Sequence, residues 1–159
     1  MSISINNRSL HWVLKIGNLK TSLDFFQNVL GLRVLRHEEF DSGCEATCNG
    51  PYGGAWSKTM IGFVPEISGF ALELTYNYGI ENYEFGNDLQ YIAIQSPSAL
   101  IRASALGYSV HENVILGPDN YKYKVIPQIA GRAESFAVIA LRVANLENAK
   151  NYWKGQCVL

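Results

Sequence analysis

From Phe70 the chain reads Phe-Ala-Leu-Glu-Leu-Thr-Tyr-Asn-Tyr-Gly79, a strict alternation with a period of two. Phe70, Leu72, Leu74 and Tyr76 form one face of a strand, and Ala71, Glu73, Thr75 and Asn77 the other. A second face of Ala, Glu, Thr and Asn suits a concave polar surface better than simple solvent exposure. Residues 10–16 alternate in the same way, with Leu10, Trp12, Leu14 and Ile16 on one face and His11, Val13 and Lys15 on the other. Gly17-Asn18 then marks a turn. Asn18 is placed to cap a helix over residues 19–30, whose apolar stripe is Leu19, Leu23, Phe26 and Leu30, and Gly31 stands where a left-handed C-terminal residue belongs.

Further strands are expected over residues 33–40, 55–64 and 70–77, the middle one following the glycine-rich turn Asn49-Gly-Pro-Tyr-Gly-Gly54. Residues 91–95 make another strand, and Ser96-Pro97 opens a short helix that runs to Leu106. Beyond it lie a strand somewhere within 108–116, the turn Gly117-Pro-Asp-Asn120 and a strand over 121–126. That leaves room for only two good strands after the second helix, against three after the first. The chain also repeats itself. Val13-Leu-Lys-Ile-Gly-Asn-Leu19 matches Ala140-Leu-Arg-Val-Ala-Asn-Leu146, with Phe25-Phe26 matching Tyr152-Trp153 and Val138 standing where the first copy has His11. Three units follow: residues 1–88, a shortened unit at 89–134, and the start of a third at 135–159. The strand and helix of the last unit have no downstream strands of their own, so they pack on the first two units, pair with another chain, or fray.

At 48% hydrophobic and 17% charged, with a net charge of −1, the chain has the makeup of a globular domain. It has no long-range attraction for nucleic acid or an anionic membrane, and no apolar run long enough to span one. The opening Met-Ser-Ile-Ser-Ile-Asn-Asn-Arg lacks a secretory hydrophobic segment and is poor in arginine, so a cytoplasmic location is expected, with the mitochondrion as the alternative. The three cysteines, Cys44, Cys48 and Cys157, suit a reducing interior. Cys44 and Cys48 have no second ligand pair at zinc spacing, and His37, seven residues earlier, does not complete one. His111 reads as an exposed residue beside a turn. His11 and Glu73, each on the less apolar face of its strand, make half of a metal site.

Strand-helix-three-strand units with a histidine on the first strand and Glu73-Leu-Thr-Tyr-Asn77 on the last resemble the vicinal oxygen chelate superfamily, and within it glyoxalase I and its relatives. Gly31-Leu-Arg-Val-Leu-Arg36 and Tyr83-Glu-Phe-Gly86 add to the likeness. Leu35-Arg-His-Glu-Glu-Phe40, Cys48-Asn-Gly-Pro-Tyr52 and Trp56-Ser-Lys-Thr-Met60 are similar to a subgroup that carries two such domains in a longer chain. The likeness is strong over 10–88, weak over 90–126 and clear again over 137–153.

The resemblance implies an α+β fold of paired βαβββ modules, with mixed sheets curled into a cup. It also implies four metal ligands, one from the first and one from the last strand of each unit. His11 and Glu73 match the first pair. In the second unit Tyr91 stands where the family has histidine, and Lys124 where it has the glutamate that serves as catalytic base. The family isomerises the hemithioacetal of methylglyoxal and glutathione through an enediolate, which needs a metal for the oxygens and a carboxylate for the proton. An ammonium repels a divalent ion and has no lone pair with which to take up a proton. The expected protein is therefore a binding or assembly module with little lactoylglutathione lyase activity and no catalytic residue of its own. No cofactor is expected, and any that binds would be a divalent zinc or nickel ion. The alternative is a metal-dependent lyase acting on glutathione hemithioacetals and completed by a partner subunit. Lys124 is expected to reach Glu73 across the cup and substitute for the metal. Lys15, in place of a family arginine, and Asn77 match residues that hold the glutamyl end of glutathione, so a glutathione-like molecule is the expected ligand. A second copy or another protein is expected against the incomplete third unit. A chain shortened within a repeat, with little function of its own, is the third reading.

Overall fold

The computed structural model describes residues 8–43 and 52–156, built around two mixed sheets. The expected Cys44, Cys48 and Cys157, and the start of the glycine-rich turn, lie outside the described residues. Strand β1 (His11–Ile16) leads through Gly17 into helix α1 (Leu19–Asp24). Asn18 caps that helix, its side-chain oxygen accepting from the Thr21 amide at 2.9 Å. Gly17 has a steric reason to be glycine, since a Cβ there would sit 1.9 Å from the Glu81 carbonyl oxygen. The helix then widens into a π-helical turn, Phe25–Leu30, and ends at Gly31 with φ of 84°. The widened turn alters the expected stripe. Phe25, Phe26, Val29 and Leu30 are all fully buried, whereas Leu19 and Leu23 only pack against the core from its edge.

Strands β2 (Arg33–Phe40), β3 (Trp56–Gly62) and β4 (Ala71–Asn77) complete the first sheet in the order β1-β4-β3-β2. The first strand runs parallel to the last, and the other neighbours are antiparallel. Strand β5 (Leu89–Ile94), helix α2 (Ser98–Ala105), β6 (Val110–His111), β7 (Val114–Leu116) and β8 (Lys122–Val125) repeat the same scheme. The region from 108 to 116 was expected to hold one strand and holds two, joined by a tight turn with Glu112 at φ of 55°. The second unit thus has three strands after its helix, made short enough to fit the shorter sequence. His111 is exposed beside that turn, as expected.

Strand β9 (Phe136–Leu141) does not fray. It pairs antiparallel with β5 and extends the second sheet to the order β6-β7-β8-β5-β9. Helix α3 (Leu146–Gln156) follows, with Leu146, Tyr152 and Trp153 exposed. Glu134 helps to seat this end of the chain, accepting from the amide of Phe70 at 3.0 Å and of Phe136 at 3.3 Å. No helix of the described residues is long and apolar enough to cross a membrane.

One core serves both sheets. Leu14, Ile16, Leu72 and Leu74 from the first meet Ile92, Ile94, Ile115 and Tyr123 from the second, with the π-helical turn between them. Phe25 is the joint, its ring 4.9 Å from Tyr108 and 5.2 Å from Tyr123. Burying such a ring stabilises the fold by about 1.5–3 kcal/mol.

Candidate functional site

The polar face of the first sheet is built by register. Along β4, Ala71, Glu73, Thr75 and Asn77 point one way. Val13 of β1 lies beside Glu73, and Lys15 beside Thr75. On the other side β3 sets Met60 beside Glu73, Lys58 beside Thr75 and Trp56 beside Asn77. Strand β2 adds Arg36, Glu38 and Phe40 beyond them.

His11 and Glu73 meet on this face, His11 Nε2 lying 3.6 Å from Glu73 Oε2, with side chains 42% and 17% exposed. Asn77 is fully buried, and its side-chain amide donates to the Tyr83 hydroxyl at 2.9 Å. Lys15 Nζ lies 5.8 Å over the Tyr83 ring. Burial is the main reason the Tyr83 phenol is raised above its ordinary pKa.

Several residues here were missed by the reading of the chain. Lys58 pairs with Glu38 at 3.1 Å, Glu38 also contacts Arg36, and Arg36 Nε donates to Glu66 at 2.8 Å. The Lys58 contact is the main cause that holds the Glu38 carboxyl below its ordinary range. Phe40 and Trp56 stack at 4.3 Å, forming an aromatic end to the face. The available signal was the antiparallel pairing of β2 with β3, which brings Arg36, Glu38 and Phe40 onto the face of Met60, Lys58 and Trp56.

The second sheet repeats the geometry with other chemistry. Ala93 lies beside Lys124 as Val13 lies beside Glu73, and Tyr91 precedes Ala93 by two residues as His11 precedes Val13. Tyr91 and Lys124 therefore occupy the positions that correspond to His11 and Glu73. Lys124 Nζ lies 5.2 Å over the Tyr91 ring. Val138, exposed on β9, lies beside Ala93.

The expected ion pair between Lys124 and Glu73 does not form. The two belong to different sheets, Glu73 contacts His11, and Lys124 rests on its neighbouring aromatic ring. The reason is topological: pairing inside each unit joins its own first and last strands, so each unit completes its own pair of side chains. His37 joins neither pair. It lies on the opposite face of β2, 2.7 Å from Thr59 Oγ1 and 2.9 Å from Glu39 Oε1.

Among the described residues the donors do not make up the ligand set of a retained four-coordinate ion. His11 and Glu73 would supply two ligands, fewer than the three or four protein ligands of catalytic zinc sites. Among the described residues no three of His, Cys, Asp and Glu converge.

Two mixed sheets, each with its first strand parallel to its last and a helix between, define a protein of the glyoxalase fold. The chain belongs to the Glyoxalase/Bleomycin resistance protein/Dioxygenase superfamily, whose family model matches residues 8–157. It is 43% identical to glyoxalase domain-containing protein 4 of Rattus norvegicus over 154 residues, covering 94% of this chain and 52% of the relative. It is 31% identical to a lactoylglutathione lyase of Neisseria meningitidis over 139 residues, covering 78% of this chain and 93% of the relative. The crystal structure of glyoxalase I from Zea mays superposes with a TM-score of 0.76 at 23% identity, over 92% of this chain and 53% of that one. The chain thus spans about half the length of the first of these relatives.

Proposed function

We propose that this chain is a glyoxalase-family binding module with a degenerate metal site and little lactoylglutathione lyase activity of its own. One observation carries the reading: corresponding positions hold His11 and Glu73 on one sheet, and Tyr91 and Lys124 on the other. Hemithioacetal isomerisation needs a Lewis acid on the two oxygens and a carboxylate to move the proton on carbon. A lysine in the carboxylate's position provides neither. On this reading Lys15 and Asn77 hold a carboxylate of a glutathione-like ligand, and a lysine without the two-pronged geometry of arginine holds it less tightly. Metal analysis of the purified chain, with an assay for lactoylglutathione formation, tests this. The expected result is substoichiometric zinc and nickel and no turnover above the uncatalysed rate. Stoichiometric, tightly held metal accompanied by turnover would overturn it.

A second reading is supported by the intact His11–Glu73 pair beside β1, which forms an edge of the first sheet. A second copy or another chain placing ligands against that edge would complete the set. Zinc-dependent self-association in sedimentation, at one ion per two chains, would favour that reading over the first.

A further inference from the structure

We infer that Tyr83 is the second prong of a carboxylate clamp: Lys15 supplies the charge, and the Tyr83 hydroxyl supplies the direction that a lysine lacks. The inference rests on the glutathione reading above and names the group that sets its specificity.

The geometry begins at Asn77, whose fully buried amide donates to the Tyr83 hydroxyl at 2.9 Å. The phenolic oxygen therefore accepts, and its own proton is left to point away from Asn77. Burial keeps that proton in place, since it raises the phenol above its ordinary pKa. The nearby cation is Lys15 Nζ, 5.8 Å from the ring centre. No carboxylate lies within ion-pair distance of Lys15 among the described residues. Lys15 is itself positioned, because its carbonyl accepts from the Tyr121 hydroxyl at 3.0 Å. A neutral donor of fixed direction thus stands near a cation, and the two together replace the paired donors of a guanidinium.

The segment that carries Tyr83 is tied down at both ends. Its start is held where Tyr52 Oη donates to the Tyr78 carbonyl at 2.6 Å, and Gly79 turns the chain with φ of 83°. Further on, Phe85 packs edge-on against Tyr121 at 5.0 Å. Tyr83 lies between these anchors, so its hydroxyl is set in place before a ligand arrives. Such preorganisation is what turns a hydrogen bond into affinity.

Calorimetry on the whole chain tests the clamp with two probes, S-hexylglutathione and its analogue lacking only the glutamyl α-carboxylate. Tyr83→Phe should weaken S-hexylglutathione about 10-fold or more, the range for a hydrogen bond to a charged group, and leave the analogue unchanged. Lys15→Arg placed in the Tyr83→Phe chain should recover most of the loss. Equal weakening of both probes would make Tyr83 merely structural, and unchanged or tighter binding of S-hexylglutathione would make it a bystander or a plug; each overturns the clamp alone. If the unaltered chain gives no heat with S-hexylglutathione, the glutathione reading falls and the clamp falls with it. Matching thermal melts for the unaltered and Tyr83→Phe chains would show that the fold is not the variable.

Discussion

The polar faces of the two sheets share one backbone plan and differ in what they can hold. On the first, a histidine and a carboxylate meet at 3.6 Å. On the second, the corresponding pair is an ammonium over a phenol ring at 5.2 Å. The first strand meets the last in the same register at these positions, Val13 beside Glu73 and Ala93 beside Lys124, so the difference between the two pairs lies in their side chains. The Lys124–Tyr91 contact is favourable by about 0.5–1 kcal/mol at a partly exposed site. It needs no metal, whereas His11 and Glu73 bring together two side chains of metal-donor type.

The sharpest way to break the comparison is to test whether the two halves are one body. Phe25 belongs to the first unit and touches Tyr108 and Tyr123 of the second. Phe25→Ala should destabilise the chain by about 3–5 kcal/mol, in a single cooperative urea transition. Two separate transitions would mean that the sheets do not share a core. Next in size is a test of equivalence. Tyr91→His with Lys124→Glu should give the second sheet its own His–Glu pair and raise zinc affinity by about 10–100-fold, the scale on which single groups around a metal act. Zinc binding that stays at the level of the unaltered chain in a competition assay would refute the matched positions.

Smaller effects sharpen the picture of the second half. The Tyr123 hydroxyl is buried without a hydrogen-bond partner among the described residues, which carries a desolvation penalty. Tyr123→Phe should stabilise the chain by about 1 kcal/mol and raise the melting temperature by about 2–4 °C; a lower melting temperature would show that the hydroxyl is satisfied. The smallest effect concerns Asp119, which accepts from the Gly17 amide at 2.9 Å and has φ of 55°. Burial raises its pKa above the ordinary 3.8, so the folded state favours the protonated acid. Its stabilising contribution is full below the ordinary pKa and is lost as pH rises through the raised value. Asp119→Asn keeps the acceptor, suits the left-handed backbone and removes the buried charge. A gain of a few tenths of a kcal/mol at neutral pH is expected, with a flatter stability profile in mildly acidic solution. An unchanged pH profile would show that Asp119 is not the group responsible.

Much of the first unit could be read from the chain. The alternation through residues 70–77 and 10–16 is long, and a strand shows its two faces directly in such a pattern. The Asn18 cap and the Gly31 terminus follow from local chemistry. The π-helical turn escaped notice, since no residue type marks a widened hydrogen-bond pattern, and its result is a fully buried Phe25. The paired strands around Glu112 escaped for a related reason: strands of two and three residues are too short to show a period.

By itself the sequence determined which side chains share a face within a strand, and that the first helical stretch begins after Asn18 and stops at Gly31. Those features depend on neighbours within a few residues, where backbone sterics and periodicity act. Only the tertiary structure decided which faces meet. It separated Lys124 from Glu73, placed β9 at the edge of the second sheet, and brought Tyr83 against Asn77 and Lys15. Strand order and register are settled by burying one common core, a property of the whole chain that no local window contains.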